Sequence, residues 1–504
     1  MRSAIGKIHG SASSFEFEFV ITNSKSVKRG DYIKVWNDKD GWVLGQVSDI
    51  LAVDNPKLSE LYKVKEVLIA KARVLGKREA GKLRMPTSPF IPGDNVYIAE
   101  DELIAETFGF AEDGAYIGLL GDTSVKVKLN PNTLVQKHVC ILAKTGSGKS
   151  YTAGVIIEEL LERNVPLLII DPHGEYVSMK KPAKIKDDEF GVEPKGYADK
   201  IVVYAPPTSP FIDSADKELS LDGVDLTAEE LIELSGLRSP TAQALLYQAL
   251  RDLKNYTIAD IIKEVESIRH SGKWTLIGAL SKIEKSGLFK QRPTDLRTLL
   301  VRGKASLIDL RGIEPAYQNL IVSRVISKLF ELRKRGEVEP GMIVVEEAHN
   351  FAPEREKTVS SNVLRTVASE GRKFGLGLMV ISQRPARIDK NVISQCNTQI
   401  ILRVTNPNDI NAIKKGIEGI TAEMVEEIKR LPTGSAVVVS PELEVPVIVR
   451  VRVRRSQHSE AKSVLEEEKE EIEAKEETAV ETKEVKENEE RKGFLSRIFR
   501  SRKP

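Results

Sequence analysis

The sequence predicts an α/β protein with a largely parallel sheet covered on both faces, preceded by a small all-β region. Three observations carry that expectation. From about Lys137 onward, apolar runs of strand length recur at Val139–Ala143, Leu167–Asp171, Ala305–Asp309, Met342–Glu346, Leu376–Ser382, Gln399–Val404 and Ala436–Ser440. Unbroken runs of this kind mark strands buried on both faces. Helical spacing fills much of the intervals, as in Val155–Leu161 and Leu320–Leu332. A glycine-rich loop stands between the first strand and the helix that follows it.

Taken in chain order, residues 1–110 read as a small β-barrel or sandwich. Phe15–Thr22, Tyr32–Trp36, Trp42–Val47 and Asn95–Ala99 are rich in β-branched and aromatic residues, and Arg29-Gly30-Asp31, Asp38–Gly41 and Pro92-Gly93-Asp94 supply turns. Residues 111–455 form the α/β domain. The interval from Ile201 to Arg302 is too long for one crossover. Its segments Ala228–Leu237, Ala242–Leu253, Ile258–Ile268 and Leu276–Leu288 have helical spacing, which implies a helical subdomain inserted at about 212–300. Residues 456–504 change character again. Between Glu460 and Glu490 there are 14 Glu and 5 Lys, a balance of −9, which reads as a solvated helix or disordered linker. Arg491–Pro504 carries six basic and no acidic residues around Phe494, Leu495, Ile498 and Phe499. That amphipathic tip suits DNA, an acidic partner or a membrane surface, and suits an ordinary solubilising tail equally.

Composition narrows the function. The 504 residues hold 76 Lys+Arg and 74 Asp+Glu, a net charge of +2, so any nucleic-acid contact must be local. Cys140 and Cys396 are the only cysteines, which excludes a disulfide framework and multi-cysteine zinc sites. No apolar run approaches the roughly 18–20 residues that cross a bilayer, and no secretory leader is visible, so a soluble intracellular protein is expected.

The strongest chemical signal is Ala143-Lys144-Thr145-Gly146-Ser147-Gly148-Lys149-Ser150, a Walker A loop with Ala143 in place of the first glycine. The substitution is mild, because Gly146 and Gly148 give the backbone the freedom to turn its N–H groups around phosphates. Thr145 through Tyr151 are the candidate nucleotide contacts, with Lys149 on the β/γ-phosphates and the Ser150 hydroxyl on Mg²⁺. Met342-Ile343-Val344-Val345-Glu346-Glu347 has the form of a Walker B strand. Strand alternation points the two acids in different directions; Glu346 is assigned to the metal side and Glu347 to polarising the attacking water. The paired acids argue for the additional-strand ATPase class, against a switch GTPase. Gln383, at the end of another buried strand, is placed to sense a γ-phosphate, and a simple turn cap is the alternative. Asp171 and Glu175, in Asp171-Pro172-His173-Gly174-Glu175-Tyr176, could order metal or water at the sheet's C-terminal edge or merely shape a turn. A helix at about Ser360–Lys373 would place Arg365, Ser369 and Arg372 along one face. Arg372, then Arg365, is the candidate arginine finger for a neighbouring subunit; on the residues alone, an exposed arginine in a salt bridge is the stronger reading.

In this order the pieces resemble the HerA branch of the HerA/FtsK ATPases. The resemblance rests on Thr145–Ser150, Asp171–Tyr176, Val344–Phe351 with Glu346-Glu347-Ala348-His349-Asn350, and Glu370–Gly375 through Ser382-Gln383-Arg384-Pro385 to Ser394–Asn397. It covers about residues 1–455. It implies a RecA-like ATPase domain behind an N-terminal barrel, a homo-hexameric ring with ATP and Mg²⁺ between subunits, and a motor or helicase on double-stranded DNA. It further implies a NurA-type nuclease on the barrel, a part in DNA end resection for recombination, and a cytoplasmic, nucleoid-associated location. Carried over by position, it gives Lys149 and Ser150 to phosphate and metal, Glu347 to catalysis, Gln383 to sensing and Arg372 to the trans finger. The competing readings are a secretion-type polypeptide-translocating ATPase and a nucleotide-binding scaffold ring that recruits a nuclease.

Overall fold

The computed structural model describes residues 3–458 except 24–26, 186–188 and 418–419. The Glu/Lys stretch and the basic tip read from the sequence lie outside the described residues.

The first seven strands are β1 (Gly6–Ala12), β2 (Glu16–Ile21), β3 (Tyr32–Asn37), β4 (Gly41–Val53), β5 (Val67–Glu79), β6 (Lys82–Arg84) and β7 (Asn95–Ile98). They pair antiparallel in the order β2-β1-β7-β3-β4-β5-β6, and a further β2–β5 ladder closes six of them into a barrel, with β6 folded back as a hairpin on β5. The long β4 bends around the ring through two irregularities, at Leu44/Gly45 and Val47/Asp49. Ile8, Phe19, Ile33 and Val96 are fully buried inside. Closure disposes of the unpaired strand edges that an open sheet of this size would present.

A second sheet holds β8 (Ala115–Leu120), β9 (Lys126–Leu129), β10 (Val139–Leu142), β11 (Leu167–Asp171), β12 (Ile201–Ala205), β13 (Lys217–Glu218), β14 (Ala305–Asp309), β15 (Gly341–Val345), β16 (Leu376–Ser382), β17 (Thr398–Ile401), β18 (Ser435–Ser440) and β19 (Leu443–Val451). Their order is β13-β12-β14-β11-β15-β16-β10-β17-β18-β19-β8-β9. The run from β13 to β17 is parallel, and the four strands beyond it are antiparallel. Every residue of β10, β11, β14, β15 and β16 is buried, as their unbroken apolar runs require. The decisive feature is β16, which pairs with β10 on one side and β15 on the other. That interposed strand defines the additional-strand, RecA-like arrangement.

The insertion falls between β13 and β14 as four helices, Ala228–Ser235, Pro240–Leu250, Ile258–Ser267 and Lys273–Glu284. Reciprocal capping boxes, Thr227 with Glu230 and Thr257 with Asp260, start the first and third. Leu231, Leu246, Ile261 and Leu280 are fully buried in the cluster that also holds the β15 and β16 side chains Ile343 and Val380. Among the described residues, no helix is long and apolar enough to cross a membrane.

A candidate nucleotide site at the strand ends

The C-terminal ends of β11, β15, β16 and β10 lie side by side, and each carries polar residues picked out by the sequence. The loop after β10 runs into the helix Lys149–Glu162. Gly148 caps that helix with φ of 95°, and Gly146 has φ of 75° with open space where a side chain would stand. Both conformations favour glycine, and they leave the helix N-terminus clear for an anion. Arg403, just beyond β17, anchors the loop: its carbonyl accepts the Lys144 N–H at 2.9 Å and the Ser147 hydroxyl at 3.2 Å.

Lys149 bridges the acid pair. Its ammonium is hydrogen-bonded to Glu346 and lies 3.0 Å from Oε1 of Glu347. Glu346 is fully buried, and its other oxygen accepts a hydrogen bond from the Tyr176 hydroxyl. The alternation expected for adjacent strand residues does not decide these orientations. Glu347 has already left β15 and has φ of 49°, a left-handed conformation unusual for a residue with a side chain, which turns its carboxylate back toward the loop. Its Oε2 is buried without a hydrogen bond, 3.2 Å from Nδ1 of His349. Burial holds the His349 imidazole below the usual histidine range despite the neighbouring Glu347 carboxylate, with Arg384 and Lys149 adding to the depression. His349 is therefore neutral near pH 7.

Gln383 is hydrogen-bonded to Thr145, which links the end of β16 to the glycine loop. Asp171 turns inward. Its Oδ1 accepts the N–H groups of His173 (3.3 Å), Gly174 (2.8 Å) and Glu175 (3.1 Å), and its Oδ2 accepts that of Tyr176 at 3.1 Å. Burial pushes its carboxyl up to about 6 against the lowering effect of those N–H donors, with Asp309 adding to the rise. In this arrangement Asp171 shapes the loop that presents Tyr176, and Glu175 is half-buried beside it. Tyr176 and His349 emerge as site residues that composition and spacing leave without a role. An aromatic five positions past a strand-end acid is the only local signal for the first.

The remaining candidates separate. The helix read at about Ser360–Lys373 runs from Val359 to Glu370 and gives way to a 3₁₀ turn, Gly371–Phe374, so Arg372 leaves the face it was expected to share with Arg365. The cause is close packing: a β-carbon on Gly371 would stand 2.5 Å from the Leu376 carbonyl oxygen. Arg365 is engaged, with Nε 2.5 Å from the buried Asp389 carboxylate. Arg372 is exposed, and among the described residues it makes no ion pair. Tyr151 points away from the glycine loop, since its hydroxyl accepts the Arg454 N–H at 2.8 Å and its ring meets His458 edge-on at 5.4 Å.

Those contacts belong to a strap, residues 452–458, laid along the Lys149–Glu162 helix. Arg452 is fully buried, with Nη1 2.9 Å from Glu158 and Nη2 2.9 Å from Glu159. Glu158 also accepts the N–H groups of Arg455 (3.1 Å) and Ser456 (2.8 Å) and the Ser456 hydroxyl (2.6 Å). The helix that follows the glycine loop is thus pinned by buried charges, with Arg452, Glu158 and Glu159 paired to one another.

No group of three or more His, Cys, Asp or Glu side chains forms a ready metal cage among the described residues. The Ser150 hydroxyl at the start of the helix and the Glu346 carboxylate beside Lys149 are oxygen donors of the kind that Mg²⁺ takes in small number beside nucleotide phosphates.

Glycine loop, acid pair and interposed strand together define an additional-strand P-loop ATPase. Three family descriptions match the chain along most of its length: "HAS barrel domain" at residues 5–80, "Helicase HerA, central domain" at 115–329 and "Helicase HerA-like C-terminal" at 304–500. The chain belongs to the HerA family. It is 28% identical over 539 residues to the DNA double-strand break repair helicase HerA of Pyrococcus furiosus, covering 90% of this chain and 92% of that protein. It is also 28% identical over 485 residues to the protein of the same description from Sulfurisphaera tokodaii, covering 89% and 92%. Among solved structures, VirB4 of Thermoanaerobacter pseudethanolicus overlays with a TM-score of 0.48 and 15% identity, over 68% of this chain and 97% of that one.

Proposed function

We propose that the chain is an ATP-driven, double-stranded DNA translocase and helicase. It works as a homo-hexamer in the cytoplasm, at the nucleoid, with a NurA-type nuclease resecting DNA ends for recombinational repair. The observation that carries the ATPase core of this reading is Lys149 held between Glu346 and Glu347 at the mouth of the glycine loop. Repair-helicase relatives that cover about nine-tenths of the chain support the DNA substrate.

The pairing suggests how hydrolysis waits for substrate. A triphosphate in the loop competes for the Lys149 ammonium, since the β/γ-phosphates offer more negative charge than one carboxylate. Losing Lys149 frees Glu347 to orient and polarise the attacking water. Thr145 through Ser150 and the first N–H groups of the helix grip the phosphates. The Tyr151 backbone adds to that grip, while its side chain stays with the strap. Ser150 and Glu346 would hold Mg²⁺, with Glu346 kept in place by Tyr176. When bound, Mg²⁺ neutralises charge on the β- and γ-phosphates. Gln383, now on Thr145, would sense the γ-phosphate, and Arg372 would serve the site of the neighbouring subunit.

Steady-state ATPase with and without blunt duplex DNA tests this, using wild type, Arg372→Ala, and a mixture of Arg372→Ala with Lys149→Ala. DNA-stimulated turnover and partial rescue in the mixture are the expected results. Turnover indifferent to duplex DNA but stimulated by a polypeptide would favour a secretion-type motor, and nucleotide binding without turnover would favour a scaffold ring. No rescue in rings confirmed as mixed would refute the trans role of Arg372.

A further inference from the structure

His349 lies two residues beyond Glu347, in the short 3₁₀ turn Ala348–Asn350. Its Nδ1 faces two oxygens, one at the end of β16 and one just past β15. One is the Ser382 hydroxyl at 3.0 Å, and the other is Oε2 of Glu347 at 3.2 Å. Ser382 is fully buried, is the last residue of β16 and immediately precedes Gln383; its hydroxyl oxygen also accepts the Arg384 N–H at 2.9 Å. The approach to Glu347 is close but makes no hydrogen bond, so Oε2 is buried beside Nδ1 and unengaged. Meanwhile Oε1 of the same carboxylate is held by Lys149 at 3.0 Å.

These contacts have a physical consequence once Lys149 is taken by a triphosphate. A buried carboxylate stripped of its cation must find another donor or move toward water. The group closest at hand is Nδ1 of His349, which donates in the neutral Nδ1–H tautomer, and a small rotation of either side chain aligns it. A histidine that gives up Ser382 in the same movement changes the end of β16, the strand that leads into the γ-phosphate sensor.

We propose that His349 is a positioning residue whose Nδ1–H hydrogen bond switches from Ser382 to Glu347 when nucleotide engages Lys149, fixing the catalytic carboxylate and tying its position to the strand end that carries Gln383. The proposal rests on the ATPase reading above. It involves no proton transfer, only an exchange of hydrogen-bond acceptor, and it extends the site to a residue that touches neither phosphate nor water.

Two near-isosteric replacements discriminate. Asparagine places an amide N–H where Nδ1 stands, and glutamine places one nearer Nε2. Steady-state kinetics are read for wild type, His349→Ala, His349→Asn and His349→Gln, with binding of a fluorescent ADP analogue and thermal midpoints measured alongside. His349→Ala should lower kcat about 10- to 100-fold, the cost of a carboxylate misplaced by about an ångström. KM for ATP should stay within about twofold, because ground-state binding is untouched. His349→Asn should recover most of kcat, and His349→Gln should not. In a Ser382→Ala background, His349→Ala should cost less than in the wild type, since the two act as one unit. Equal behaviour of the Asn and Gln variants would overturn the proposal. So would a KM that rises as far as kcat falls, or full additivity with Ser382→Ala. A wild-type protein that turns over no ATP would overturn the ATPase reading itself, whereas normal turnover by His349→Ala overturns only the role of His349.

Discussion

Replacing Arg452 with Met keeps most of the side-chain stem and removes the guanidinium from the strap. Glu158 and Glu159 then remain, 0% and 3% exposed. Glu158 keeps its contacts to Arg455 and Ser456, and Glu159 keeps Arg163 at 2.7 Å and the Tyr116 N–H at 3.0 Å. The carbonyls of Tyr116 and Val453, which accept from Arg452 at 2.9 and 2.7 Å, lose that donor. Breaking a buried charge cluster from one side costs about 3–5 kcal/mol. Unfolding entropy near 2.1 cal/mol/K per residue over roughly 450 residues is about 1 kcal/mol/K, so the midpoint should fall by about 3–5 °C. Differential scanning calorimetry of both proteins at neutral pH reads this directly. An unchanged midpoint would refute the view that this cluster pins the helix after the glycine loop.

Other outcomes can be checked alongside. Glu347→Gln should lower kcat by about 10²–10⁴-fold, the usual worth of a general base, while nucleotide affinity measured by equilibrium binding stays near wild type. Asp171, with its carboxyl raised to about 6, contributes stability that is intact below about pH 4 and lost as pH rises through about 6. Ionisation therefore costs the native state about 3 kcal/mol. The stability of wild type relative to Asp171→Asn should decline between pH 4 and 7 in chemical denaturation, and a flat difference would count against that burial. A β-carbon at Gly154 would meet Cζ of Arg454 at 2.7 Å, so Gly154→Ala should destabilise by about 1–3 kcal/mol; a thermal midpoint at or above wild type would show that the strap yields freely.

Legibility from the sequence follows what each element depends on. The ranges Leu167–Asp171, Ala305–Asp309 and Leu376–Ser382 coincide with β11, β14 and β16, because an unbroken apolar run bounded by polar residues is a local signal. β19 gives no such signal: Pro446 and alternating polar positions interrupt it, and its partners β18 and β8 lie far apart in the chain. β12 hides at the mouth of the long insertion, and Gly118 breaks the apolar run of β8. Within the site, residue types and spacing locate the glycine loop and the acid pair. They do not reveal that Glu347 leaves the strand in a left-handed turn, that Tyr176 reaches Glu346 across 170 residues, or that Tyr151 is claimed by the C-terminal strap. These contacts are set by how β11, β15 and the strap meet in space, which periodicity does not encode. Arg365 shows the same limit, since its partner Asp389 is 24 residues away on another element.

The outer margins of the large sheet bear on how copies of this chain can meet. On one side it ends in β13, a two-residue strand made of Lys217 and Glu218, both exposed. On the other it ends in β9, whose short Lys-Val-Lys-Leu run sets two ammonium groups along the rim. Brevity and charge at both borders discourage a neighbour from extending the sheet by strand addition. In the proposed ring, copies would then meet through helices, loops and side chains, contacts that can loosen and re-form, where a shared backbone ladder would lock them together.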